Sequence, residues 1–119
     1  MRAALRGFYS SDIPDLDTYR PEDSECFELQ VTAFIGPRDE GHGEEMFDFR
    51  VCTASWLQLH PPPKNFEFLR STVLMSRWDY QTLERALGDL CLHTEGRDWA
   101  QIAARLSRYG HWEYEDYRP

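Results

Sequence analysis

From Cys26 to Ile35 the chain alternates, with Phe27, Leu29, Val31, Ala33 and Ile35 on one face and Glu28, Gln30 and Thr32 on the other. A period of two belongs to a β-strand with one wet face and one buried face, so this run requires a sheet with something packed over one side. Gly36-Pro37 is expected to end the strand. The next segment holds two glycines that suit a turn before a second strand, Met46 to Thr53, where Phe47, Phe49 and Val51 face one way and Asp48 and Arg50 the other. So close in sequence, the two runs are expected to pair antiparallel.

Residues 2–9 suit a first strand, with Gly7 weakening its middle. Ser10 to Glu25 reads as a loop punctuated by Pro14 and Pro21, with room for one helical turn after Pro14. Pro61-Pro62-Pro63 cannot lie inside a sheet, because proline has no amide donor, so a stiff exposed connection is expected there. Before it, Trp56, Leu57 and Leu59 are expected to pack on a sheet edge. After it, the aromatic and β-branched run Phe66 to Met75 predicts a third strand covered on both faces. The period then changes. Tyr80, Leu83, Leu87, Leu90 and Cys91 share one helical face behind an Asp79 cap, and Gly96 is placed to end that helix. A second helix opens at Asp98 with Gln101 three residues on, and buries Trp99, Ile102, Ala103 and Leu106 before Gly110. The expected fold class is α+β, an antiparallel meander sheet of three to four strands followed by two C-terminal helices packed on one face, as a single domain over residues 1–119.

With 41% hydrophobic residues among 119, such a chain can bury one real core. No apolar run reaches the roughly 18 residues of a membrane span or forms a signal-peptide core, so a cytoplasmic protein without membrane contact is expected. Cys26, Cys52 and Cys91 are an odd number without close pairs and read as buried free thiols. His42, His60, His93 and His111 stand singly, so neither a metal nor a cofactor is expected. The formal charge of −8 is lopsided, since residues 1–60 hold 12 acids against 5 bases and residues 61–119 hold 9 against 8. Phosphate backbones repel such a surface, which disfavours direct nucleic-acid binding, whereas a basic protein partner is attracted.

No nucleophile elbow, phosphate-cradling loop or zinc-protease motif occurs, and no catalytic residue is assigned. Gly41-His42-Gly43 beside Glu44 and Glu45 is the one spot where a small enzyme site is conceivable, but a solvated hairpin tip explains it better. Binding has better candidates. The loop supplies Asp12, Asp15, Asp17, Glu22 and Asp23, followed by Glu44 and Glu45. In the tail, Trp112 and Tyr114 alternate with Glu113 and Glu115 before Asp116. That tail reads either as a clasp whose aromatics seal the core or as a recognition edge for a basic partner. An adaptor pairing through a sheet edge at Trp56 to Leu59 is the alternative.

The segments Phe34-Ile35-Gly36-Pro37, Gly43-Glu44-Glu45-Met46-Phe47-Asp48-Phe49-Arg50-Val51-Cys52-Thr53 with Trp56-Leu57, and Trp112-Glu113-Tyr114-Glu115-Asp116-Tyr117 resemble the immunity protein 8 family of bacterial polymorphic toxin systems. Their order and spacing carry the likeness, which spans most of the chain outside Ser10 to Glu25. The resemblance implies a cytosolic antidote, needing no catalytic residue, that binds a cognate toxin domain and blocks its active site or substrate surface; a monomer or weak dimer is expected.

Overall fold

The computed structural model describes residues 1–39 and 43–116. Three strands, β1 (Ala3–Tyr9), β2 (Glu28–Pro37) and β3 (Glu45–Thr53), form an antiparallel meander. The alternating run becomes β2, and its five inward residues, Phe27 just before the strand and four within it, are all at most 4% exposed. Opposite them, Phe47 faces Ala33, Phe49 faces Val31 and Val51 faces Leu29, so the two patterns mesh residue by residue. The register of β1 slips between Leu5 and Gly7, a bulge that lets both Leu5 and Phe8 reach the core. β2 runs on through Gly36-Pro37 rather than stopping there. Pro37 is tolerated because beyond Ile35 the strand has β1 alone as neighbour.

The far edge of β3 is shared by two segments. β4 (Thr72–Met75) runs parallel to residues Arg50 to Thr53, and β5 (His111–Trp112) pairs antiparallel with Phe47 and Asp48. Between β3 and β4 the chain forms a short helix, α1 (Ala54–Leu59), capped by the Thr53 hydroxyl, which accepts from the Trp56 amide. Trp56, Leu57 and Leu59 therefore lie on a helix and not on a sheet edge. The expected third strand shrinks to its last four residues. Phe66 to Ser71 lie outside any strand, and Asn65 and Ser71 both adopt positive φ, at 69° and 58°.

Helices α2 (Tyr80–Leu92) and α3 (Trp99–Leu106) cover the apolar face of the sheet, burying Leu83, Leu87 and Cys91 from one and Ile102, Ala103 and Leu106 from the other. Both caps form as the sequence predicts, Asp79 accepting from the Thr82 amide and Asp98 from the Gln101 amide. Helix α2 ends at Leu92, before Gly96. Gly110 serves by lacking a side chain, since a Cβ there would lie 2.5 Å from the buried Phe49 ring. No helix among the described residues is long and apolar enough to cross a membrane.

Candidate partner-binding surface

Acids of the loop before β2 are exposed but dispersed, because the loop is pinned from beneath. Leu16 of a 3-10 turn (Leu16–Thr18) is buried, and Tyr19 offers its carbonyl to the Trp78 indole at 3.1 Å. Asp12 turns back to accept the Gln30 amide at 3.3 Å, just beyond the end of β1. Asp15 is the residue before the turn, and its side chain makes no capping bond. Asp17 lies near Tyr80, whose phenol is held above its ordinary pKa by burial first and then by Glu84 and Asp17.

Glu22 and Asp23 are brought together with something new. With Tyr19, Phe27, Glu28 and Trp56 they line an open groove of about 780 Å³, so three carboxylates and three aromatic rings share one concave surface. Its shape is set by backbone bonds. Asp23 accepts the Glu25 amide at 2.9 Å, Ser24 accepts the Trp78 amide at 2.7 Å, and Ser55 donates its hydroxyl to the Glu25 carbonyl. Trp56 was not singled out for this surface by the sequence. The Thr53 cap was the available signal, since it starts the short helix that brings Trp56 to the groove.

Glu44 is exposed, but its neighbour Glu45 is half-buried and works inside the protein. One carboxylate oxygen, Oε1, accepts the indole N–H of both Trp99 and Trp112, each at 2.8 Å. Trp112 also stacks on Phe47 at 6.4 Å and meets Tyr114 edge-on at 5.9 Å. Beyond it, Glu113 and Met46 exchange bonds, the Glu113 carboxylate accepting the Met46 amide at 2.9 Å and the Met46 carbonyl accepting the Glu113 amide at 3.0 Å. Glu115 receives both guanidinium nitrogens of Arg70, which also donates to the Ser107 carbonyl at 2.7 Å. That hydrogen bond holds the Glu115 carboxyl below its ordinary pKa despite partial burial. The tail is thus a clasp built from its own acids as well as its aromatics, with Asp116 exposed at its end.

His111, Glu115 and Asp116 place ligand-type atoms within 4.8 Å of one another, the one such group among the described residues. Arg70 already grips both oxygens of Glu115, so a cation would have to displace it, and the group works as part of the clasp. The other conceivable site centres on His42, which lies outside the described residues. Of the thiols, Cys52 and Cys91 are buried, but Cys26 is only half-buried, at the groove. Burial pushes the Cys91 thiol up to about 12 and raises Cys52 as well, keeping both in the unreactive protonated form.

The surface also carries apolar groups that the sequence reading placed inside. Phe68 is 91% exposed, Leu59 69%, Phe66 62% and Leu69 56%, all within or beside the proline-led segment. Acceptors, aromatic faces and exposed apolar side chains are the chemistry of binding.

The family model described as immunity protein 8 matches residues 3–117 of this chain. No curated protein and no solved structure matches it.

Proposed function

The chain belongs to the immunity protein 8 family, and from that premise we propose that it neutralises a cognate toxin domain by binding it stoichiometrically through its acidic surface. The observation that carries the reading is the groove lined by Glu22, Asp23 and Glu28 together with Tyr19 and Trp56. Carboxylates and aromatic rings lining one groove suit a basic protein surface with a side chain to insert. Within the wider set of acids, Asp12, Asp15, Asp17, Glu44 and Asp116 are exposed and extend the negative field that steers such a partner. Glu45, Trp112, Glu113 and Glu115 hold the tail in place, so their contribution is to present the surface. Tyr114 sits 44% exposed beside them, at the margin where clasp and surface meet.

Obstruction of the toxin's active site or substrate surface needs no catalysis, and the reading assigns none. It places the protein in the cytoplasm as the antidote of a bacterial polymorphic toxin system, with the toxin domain as its partner. The test is co-expression with the toxin domain encoded beside it, scoring survival and then co-purification. The expected result is rescue, with a one-to-one complex that survives gel filtration. Cell death alongside a folded antidote and an active toxin would reject that toxin as the partner, and rescue without a complex would reject stoichiometric binding.

A further inference from the structure

Residues 61–69 form an arm that is exposed along its length save for half-buried Pro62, and both of its ends are fixed. At its entry His60 stacks on Trp56 with ring centroids 4.1 Å apart, and its Nδ1 lies 2.9 Å from the Trp56 carbonyl. At its exit Arg70 is locked to Glu115 and to the Ser107 carbonyl. Between them, Pro61-Pro62-Pro63 stiffens the first stretch and the Asn65 amide closes a turn onto the Pro62 carbonyl at 3.0 Å. Phe66 and Phe68 meet edge to face at 5.9 Å, and Phe68 is almost wholly in water. Two phenyl rings and Leu69 exposed together on a braced segment are costly to leave wet, and such patches mark interaction sites.

The arm is continuous with the acidic groove. Glu67, between the two rings, reaches Arg50 at 3.7 Å, and Arg50 reaches Glu28 of the groove at 3.9 Å. Arg50 thus links the arm to the rim of the groove through one acid from each. Glu22, Asp23 and Glu28 of the groove attract a basic partner and would repel the same acids of a second copy of this chain, while the arm supplies apolar contact.

We propose that the arm is the anchor of the toxin interface, with Phe68 and Phe66 inserting into an apolar pocket of the toxin domain while the groove engages its basic surface. This rests on the reading of the chain as a binding antidote. Because the arm is braced beforehand, little ordering is lost on docking, and anchors of this kind carry most of the affinity of an interface.

The experiment compares the full chain with Phe68→Ala and Phe66→Ala/Phe68→Ala, measuring affinity for the co-expressed toxin domain, thermal midpoint and sedimentation. Phe68→Ala should weaken binding by about 30-fold and the double variant by more. Thermal midpoints should be unchanged, because the rings leave no cavity. Undiminished binding by both variants, while the wild-type chain binds, overturns the anchor and leaves the antidote reading standing. A wild-type chain that does not bind the toxin overturns both. A wild-type dimer dissolved by Phe68→Ala, with toxin binding intact, assigns the arm to self-association and also overturns the proposal.

Discussion

Glu45 is the residue on which the C-terminal part of the fold converges, because a single oxygen serves indoles from α3 and β5. Glu45→Ala would strand two indole donors, and the expected loss is about 2–3 kcal/mol in chemical denaturation. Glu45→Gln keeps an acceptor and should lose less. Gly110 belongs to the same scale. Gly110→Ala drives a methyl into the Phe49 ring, with an expected destabilisation of about 2 kcal/mol by the same measurement. The sequence announced Glu45 as a chemistry-bearing residue and Trp112 as half of a clasp. It could not show that the carboxylate is shared, because only the tertiary fold brings positions 45, 99 and 112 to one point.

At the scale of elements, the tail clasp turns on Arg70 and Glu115. The Glu115 carboxyl has a pKa below its ordinary 4.5 in the folded protein, so its stabilising contribution is complete above that value and is lost as the pH falls through the depressed one. Acid titration of the tail, followed by Trp112 fluorescence, should show release below pH 4.5 in the wild type. In Glu115→Gln the tail should already be loosened at neutral pH, with a smaller change in that window than the wild type shows. The elements themselves were unequally legible. Strand β2 declared itself through five alternating inward residues, and α2 and α3 through aspartate caps and a 3.6-residue period. The run from Phe66 to Met75 misled because aromatic and β-branched residues favour strands in general, while a strand also needs a neighbour to pair with. Only Thr72 to Met75 find one, beside β3. Helix α1 escaped notice because its six residues, directly after a strand, are too few to show a helical period.

Over the whole molecule, the lopsided charge read from the sequence becomes a spatial fact only in part. Glu22, Asp23 and Glu28 converge on the groove, whereas Asp12 and Asp17 lie elsewhere and Glu45, Glu113 and Glu115 are engaged internally. Counting acids along the chain could not sort steering charges from structural ones. Charge reversal separates them. Glu22→Lys/Asp23→Lys should slow association with the toxin domain at least about 10-fold at low salt, with the difference shrinking as ionic strength rises, in stopped-flow measurements. Reversal of Glu113 should act chiefly on stability, because its carboxylate holds the Met46 amide.

The arm between His60 and Arg70 has a further consequence for how such a protein changes over generations. Its outward side chains touch little of the body, so on the proposed reading mutations there would be screened for what the partner tolerates and hardly at all for folding. Glu45, Trp99 and Trp112 are bound to one another and can be replaced only in concert. On the proposed reading, a lineage built this way would exchange its recognition element while inheriting its scaffold intact, an arrangement that would let an antidote keep step with a toxin that diverges.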